Sequence, residues 1–298
     1  MGIFSRLFRQ PNADSQRLTT HLGVSATSPN GQYVLSWRAG DDAENGYFVL
    51  FDGDTAVSEG VLKNPDDGCV ADTGTFILND MGCRDGALEG AFCAFGVDGN
   101  PILRCEFKAI PGQNAISRDG RYAVCRTANS DSVRDSGVLV TFDLARRCEI
   151  ARWYPELWGT QYDLGDDGAY IRLLTSNGLW VRYTRDGDFV DRYLWINHEL
   201  DHGEIYLADG LLREAEATGN LDPDLLSRVL ACADKALHMR QASDPRWCAL
   251  TFAVKGKSLD LQGNLGAALE SYDLALKLNP KIGVKRRAQA IRKRLGGQ

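Results

Sequence analysis

The sequence predicts an α+β chain of two domains, in which an all-β domain of four repeated units precedes an α-helical domain. The 298 residues exceed what one typical domain needs. Glycine-containing turns recur through the first part, and near Glu204 the hydrophobic period changes from 2 to 3.6. We therefore expect an N-terminal extension at 1–20, a β-repeat domain at 21–203 and a helical domain at 204–298.

The repeat is marked by four turn glycines, each followed by a β-branched or aromatic stretch. These glycines are Gly31, Gly74, Gly120 and Gly168, at intervals of 43, 46 and 48 residues. Asn-Gly and Asp-Gly turns favour positive φ, and a second strand and a further turn follow in each unit. A last strand is expected to close each unit, at Phe189–Trp195 in the fourth. Each unit is therefore predicted to hold four strands in about 45 residues, which is the period of a propeller blade.

On these motifs, residues 21–196 resemble divergent β-propeller repeats of the WD40 type, although the Gly-His and Trp-Asp pairs of that family are absent. The resemblance implies a propeller-like arrangement of four-stranded units. An incomplete propeller and a β-sandwich of meanders are the alternative architectures.

Five runs in the last 95 residues have helical periodicity and are separated by explicit stop signals. The predicted helices are Tyr206–Ala217, Leu225–Arg240, Arg246–Leu261, Leu265–Leu278 and Val284–Leu295.

Residues 249–282 resemble a tetratricopeptide repeat. In its 34-residue frame, the small and aromatic positions hold Gly256, Ala268, Tyr272 and Ala275, and Pro280 is the terminating proline. The resemblance implies stacked α-hairpins, with Val284–Leu295 as a capping helix, that present a peptide-binding surface. Lys257 and Asn264 are then candidate contacts.

The charge is unevenly distributed. The chain has a net charge of −6; residues 204–298 hold 15 Lys/Arg against 11 Asp/Glu, which leaves 19 against 29 in residues 1–203. Such a β-domain repels nucleic acid and anionic lipid and attracts a basic partner. The acidic turns are the candidate protein-binding residues: Asp41, Asp42, Asp66, Asp67, Asp166 and Asp167.

One motif has the spacing of a catalytic metal site. His198, Glu199 and His202 spell H-E-x-x-H, in which two histidines one helical turn apart can share a zinc ion while the glutamate polarises water. The motif resembles that of zincin metalloproteases, and Glu214 or Glu216 would be the third ligand. The competing interpretation is a polar linker between the domains.

Other features suggest a cytoplasmic protein. No apolar run approaches the roughly 18 residues of a membrane span, and the N-terminus lacks a secretory signal. The eight cysteines show no C-x-x-C pair, so we expect reduced thiols.

The function that these observations predict is non-enzymatic protein binding, without cofactor, nucleic acid or membrane insertion. The specific hypothesis is a stoichiometric inhibitor, such as an immunity protein that masks a basic partner. The alternatives are a zinc-dependent hydrolase that uses residues 198–202, and a scaffold or adaptor in a larger complex.

Overall fold

The computed structural model describes residues 23–40, 45–82, 88–239 and 244–296. The chain divides into two compact units, one that ends at Asp191 and one that begins at Arg192. The predicted N-terminal extension at 1–20 lies outside the described residues, as do Asp41 and Asp42.

The first unit contains four antiparallel sheets. The first sheet comprises β1 (Val24–Thr27), β2 (Tyr33–Arg38), β3 (Gly46–Asp52) and β4 (Thr55–Leu62). The second comprises β5 (Pro65–Val70), β6 (Phe76–Asp80), β7 (Gly90–Phe95) and β8 (Pro101–Phe107). The third comprises β9 (Pro111–Ile116), β10 (Tyr122–Thr127), β11 (Leu139–Asp143) and β12 (Cys148–Trp153). The fourth comprises β13 (Gln161–Asp163), β14 (Tyr170–Leu174) and β15 (Trp180–Thr184).

Within each sheet the strands pair in chain order, so each is a meander that resembles a propeller blade. The prediction of four strand-rich units is confirmed. The four turn glycines have φ between 61° and 77°, and each lies two residues before the second strand of its sheet. Their equivalence, predicted from the spacing, is therefore confirmed as well.

Successive sheets pack face to face through large side chains. Phe48 of the first sheet contacts Phe76 and Phe95 of the second, with ring centroids 5.3 and 5.0 Å apart. Phe92 of the second sheet stacks on Phe142 of the third at 4.4 Å. In the first three sheets the middle strands are mostly buried and β4, β8 and β12 are only partly buried, so the core lies between the sheets.

The fourth unit departs from the predicted four strands. Over its residues, all of which are described, three strands form, and Phe189 adds only an isolated bridge to Tyr183. The predicted closing strand at Phe189–Trp195 is wrong, because the chain enters helix α1 at Arg192. The helical unit accordingly begins at Arg192 and not at Glu204.

The described residues of the second unit form six helices: α1 (Arg192–Asp201), α2 (Ile205–Thr218), α3 (Pro223–Ala236), α4 (Pro245–Leu261), α5 (Leu265–Leu278) and α6 (Lys285–Gly296). Asp222 and Asp244 begin α3 and α4 as N-caps: their carboxylates accept the backbone N–H of Asp224 and Arg246 at 3.0 and 2.8 Å. No described helix is long and apolar enough to cross a membrane.

Candidate functional site

The four glycine turns of the β-unit are joined by hydrogen bonds between sheets. We call residues 28–31, 71–74, 117–120 and 165–168 the turn row. The N–H of Asn30 donates to Asp72 Oδ1 at 2.7 Å, and the N–H of Asp72 donates to the Arg118 carbonyl at 3.0 Å. The N–H of Arg118 in turn donates to the Gly165 carbonyl at 3.1 Å. The turns therefore lie side by side.

Two predicted binding residues lie at the end of this row. Asp166 has a side chain that is 84% exposed, and Asp167 is exposed beside it. Arg118 pairs with Asp72 and approaches Asp166 at 3.5 Å, so the arginine is shared between neighbouring sheets. The exposed carboxylates of the turn row are Asp119 on the third turn and Asp166 and Asp167 on the last turn.

The other described acidic pair lies elsewhere. Asp66 and Asp67 are in β5, paired with the far end of β6, so the structure does not bring them to the turn row. Asp67 Oδ2 accepts the N–H of Asn114 at 2.8 Å and thereby joins the second and third sheets. Burial raises the pKa of Asp67, and the hydrogen bond from Asn114 opposes that rise. Asp66 is exposed.

The fourth sheet carries a surface that we call the outer face, formed by Tyr170, Arg172, Trp180 and Arg182. In each of the first three sheets, the corresponding face is buried beneath the next sheet. The central cross-strand pairs on these buried faces are Leu35–Leu50 in the first sheet, Ile77–Ala94 in the second and Val124–Thr141 in the third. In the fourth sheet the central pair is Arg172–Arg182, and Tyr170 and Trp180 are 41% and 43% exposed.

Two aspartates neutralise the arginines of the outer face. Arg182 donates from Nε and Nη2 to both carboxylate oxygens of Asp191 at 2.8 Å, and Arg172 pairs with Asp163. Hydrogen bonding from Arg182 lowers the pKa of Asp191. Like charges directly opposite one another in a sheet are destabilising, and these carboxylates offset that repulsion.

The aromatic rings of the outer face lie against these guanidinium groups. Arg182 Cζ is 5.3 Å from the Tyr170 ring centroid, and Arg172 Cζ is 5.9 Å from that of Trp180. The backbone N–H of Arg182 donates to Asp191, and its carbonyl accepts from Val190, which caps this part of the sheet edge. The outer face is thus an ordered surface.

Carboxylates also flank one end of the outer face. Tyr170, the first residue of β14, pairs with Thr184, the last residue of β15. The turn before β14 and the turn after β15 therefore lie at the same end of the sheet. Asp186 and Asp188 in the second of these turns are exposed, as are Asp166 and Asp167 in the first. The aromatic surface therefore adjoins four exposed carboxylates.

The H-E-x-x-H segment lies at the end of α1. The rings of His198 and His202 are 4.2 Å apart, and His202 Nδ1 donates to the His198 carbonyl at 2.7 Å. Glu199 is buried, with Oε1 3.6 Å from His198 Nδ1. The proposed third ligands, Glu214 and Glu216, instead pair with Arg192 and Arg287.

The described residues therefore provide a poor fit to a zinc site. A catalytic zinc takes three protein ligands and keeps one open position. No group of three or more His, Cys, Asp or Glu side chains within the described part of the chain is placed to hold a metal ion.

The two candidates in the helical unit have different surroundings. Lys257 Nζ donates to Asp209 Oδ1 at 2.6 Å, and both side chains are largely buried, with Arg213 as the second partner of Asp209. Asn264 is exposed at the start of α5, and its side chain makes no capping hydrogen bond. Lys257 thus joins α2 to α4, whereas Asn264 faces solvent.

The outer face is not among the sites predicted from the sequence, although the sequence contains a signal for it. Residues 170–174 and 180–184 read Tyr-Ile-Arg-Leu-Leu and Trp-Val-Arg-Tyr-Thr. The buried Ile171 and Val181 alternate with arginine and aromatic residues on the other side of the sheet. Aligning each unit on its turn glycine would have shown arginine where the first and third units have Leu35 and Val124.

No protein-family model matches this chain, and no curated protein matches its sequence. Solved structures similar to it include TolB from Acinetobacter baumannii, at 17% identity over 55% of this chain and 41% of that chain, with a TM-score of 0.37. The Dos1 propeller is 10% identical over 56% of this chain and 46% of that one (TM-score 0.39). The C-terminal WD40 domain of Sif2 is 10% identical over 54% and 45% (TM-score 0.34). The chain spans less than half the length of these three structures.

Proposed function

We propose that this chain is a non-catalytic protein-binding protein whose contact surface is the outer face of the fourth sheet. The observation that carries the proposal is the exposed arrangement of Tyr170, Trp180 and two arginines on a rigid sheet. Trp, Tyr and Arg are the residue types enriched in interface hot spots. Ordering costs on binding are small because Arg172 and Arg182 are already held by carboxylates.

The partner that fits best presents cationic and apolar side chains together. Residues 1–191 contain 18 Lys/Arg against 27 Asp/Glu, a net charge of −9. Asp166 and Asp167 extend this negative charge to the edge of the outer face. Aromatic and arginine side chains on a sheet can also stack on bases. Here Asp163 and Asp191 neutralise the arginines, so the face lacks the positive field that attracts a phosphate backbone.

This arrangement supports the hypothesis of a stoichiometric inhibitor of a basic protein. The helical unit offers a second surface, and we infer that α4 and α5 form a tetratricopeptide-like hairpin. A Cβ at Gly256 would lie 2.6 Å from the Tyr272 ring, and Ala268 and Ala275 are fully buried, as the repeat frame requires. A scaffold that joins two partners is the corresponding extension of the proposal.

The test is quantitative affinity capture from the source cells with the full chain as bait. Trp180→Ala and the double variant Asp166→Lys/Asp167→Lys are compared with wild type. Truncating a hot-spot side chain costs at least about 2 kcal/mol of binding free energy. We therefore expect Trp180→Ala to weaken the affinity for the partner about thirtyfold and to remove the partner from the captured material. The captured protein is then purified and its affinity measured directly.

Matched controls separate this surface from general effects. Tyr154→Ala removes an aromatic ring that is 62% exposed at the end of the third sheet, and Asp66→Lys reverses an exposed charge away from the turn row. Both controls should retain the partner. Equal loss with a control would contradict the proposal. If an oligouridine strand binds to the wild type and not to Trp180→Ala, the partner of the outer face is a nucleic acid and the proposal of a protein partner is wrong.

A further inference from the structure

A cleft of about 470 Å³ lies between the third and fourth sheets, apart from the outer face. Three arginines reach it from different segments of the chain. Arg121 precedes β10, Arg146 lies in the turn between β11 and β12, and Arg185 follows β15. This concentration of guanidinium groups is unusual in a unit with a net charge of −9.

A buried carboxylate holds two of these arginines. Asp143, whose side chain is 5% exposed, accepts the backbone N–H of Arg146 on Oδ1 at 3.0 Å. Its Oδ2 lies 3.5 Å from Arg121 Nη2 and 3.7 Å from Arg146 Nε. These distances exceed those of a good charge-assisted hydrogen bond, so both guanidinium groups keep donors for another acceptor.

The third arginine is held by an aromatic ring. Arg185 Cζ lies 4.0 Å from the ring centroid of Tyr122, and Arg121 Cζ lies 4.8 Å from the same centroid. The carbonyl of Arg185 accepts the hydroxyl of Thr141 at 2.8 Å, which fixes its main chain. No described carboxylate forms an ion pair with Arg185. Two cations that share one ring repel each other, and an anion in the cleft would relieve that repulsion.

Three carboxylates line the cleft with the three arginines. Glu149 is engaged by Arg152 at 2.7 and 3.1 Å, and Arg152 also pairs with Asp135. Asp143 reaches Arg121 and Arg146 only at 3.5 and 3.7 Å, and the exposed Asp186 forms no ion pair with the three arginines, so their donors are left for a further acceptor. We propose that this cleft binds a phosphate group. A tetrahedral dianion presents acceptors in several directions and so matches guanidinium groups from three segments better than a planar carboxylate does.

The experiment is calorimetric titration of the full chain with inorganic phosphate at constant ionic strength, with malonate as the carboxylate probe. We expect phosphate to bind more tightly than malonate. Loss of one charged hydrogen-bond donor should weaken phosphate binding about tenfold in Arg185→Met and in Arg146→Met. Asp186→Asn removes a repulsive charge and should strengthen phosphate binding.

The control is Arg134→Met, which removes an exposed arginine outside the cleft. It should leave phosphate affinity unchanged, and the unfolding midpoint of every variant should remain near that of wild type. No phosphate binding, equal affinity for malonate, or equal loss in Arg134→Met would each overturn the proposal. If a phosphoserine peptide binds more tightly than inorganic phosphate and its unmodified form does not bind, the phosphate group belongs to a phosphorylated protein. If inorganic phosphate binds more tightly than the phosphoserine peptide, the ligand is a small molecule.

Discussion

At the scale of single residues, several charged groups that the sequence marked as binding candidates form contacts inside the protein. Asp67 illustrates the reason. The residue has a backbone φ of 36°. Its carboxylate is partly removed from water and accepts one backbone hydrogen bond across a sheet interface. Such a residue stabilises the architecture through its shape and its acceptor oxygen, while its negative charge opposes burial.

Replacing this charge should therefore stabilise the protein at neutral pH. Burial raises the folded-state pKa of Asp67, so its ionisation favours unfolding as the pH rises through that pKa. Asp67→Asn keeps an acceptor for Asn114 and tolerates positive φ. We expect a higher unfolding midpoint than wild type at pH 7, with the difference disappearing below about pH 4.

Asp98→Asn is the control with the opposite sign. Hydrogen bonds from Asn100 lower the pKa of Asp98, so its charge stabilises the fold above the unfolded-state pKa. This variant should be less stable than wild type at pH 7, and the difference should shrink as the pH falls toward the lowered folded-state pKa of Asp98. Thermal unfolding from pH 3 to 8 measures both. Destabilisation by Asp67→Asn at pH 7 would show that the hydrogen bond needs the charge.

The two histidines at the end of α1, His198 within it and His202 just after it, lead to a second prediction at this scale. His202 Nδ1 is engaged with a carbonyl, and Glu214 and Glu216 pair with arginines. We therefore expect the purified chain to contain far less than one zinc per molecule by atomic emission, and His198→Ala/His202→Ala to leave that content unchanged. One tightly held zinc per chain, lost in the double variant, would restore the hydrolase hypothesis.

At the scale of elements, local pattern predicted most of the structure. The predicted helix Leu265–Leu278 matches α5, and the turn glycines mark equivalent positions in four sheets. The pattern failed at α1, because Phe189–Trp195 is rich in aromatic and β-branched residues that favour strands. That helix is stabilised by packing of Ile196 and Leu200 into a cluster with residues of α2 and α3, which no local window contains.

Two glycines of the fourth sheet allow the free-energy cost of a positive φ to be separated from the cost of a steric clash between sheets. Gly168 and Gly178 have φ of 61° and 83°, but a Cβ at Gly168 would lie 2.7 and 2.9 Å from Tyr122 atoms, whereas one at Gly178 meets nothing within 4 Å. Gly178→Ala should cost about 1 kcal/mol for positive φ alone. Gly168→Ala should cost a further 1–3 kcal/mol, roughly, for the inter-sheet clash. Urea unfolding of the two variants measures the difference, and equal losses would mean that Tyr122 moves aside freely.

The contact between α2 and α4 gives another prediction. Asp209 is buried and depends on Lys257 and Arg213 for compensation. Lys257→Met should lower the free energy of unfolding by about 1–3 kcal/mol, because a buried carboxylate loses a charged partner. Lys277→Met, an exposed position on α5, should change it by less than about 0.5 kcal/mol. Helix signal at 222 nm during urea unfolding reports both; an unaffected Lys257→Met would free this lysine for the binding role predicted from sequence.

At the scale of the whole molecule, the array of sheets explains why the outer face is available. A terminal repeat must end in a side that tolerates water, and Arg172 and Arg182 satisfy that requirement where earlier sheets have buried pairs. A purely polar terminus would not need Tyr170 and Trp180 exposed beside them. The combination explains why sequence periodicity predicted the repeats but not the proposed binding surface: the periodic pattern is the same, and only the side chains on one face of the fourth sheet differ.

Charge and contact should then act on different rate constants once a basic partner has been purified. Salt at 1 M shortens the Debye length to about 3 Å, from about 10 Å at 0.1 M, so association should slow steeply over that range. Asp166→Lys/Asp167→Lys should reduce the association rate, because these exposed carboxylates lie at the rim, whereas Trp180→Ala should mainly raise the dissociation rate.

The control is Asp66→Lys, which reverses one exposed charge away from the turn row and should alter both rates much less. Surface plasmon resonance over the salt series resolves the two effects. If association ignores salt and the aspartate variant while Trp180→Ala still accelerates dissociation, the outer face binds without electrostatic steering and the requirement for a basic partner is removed.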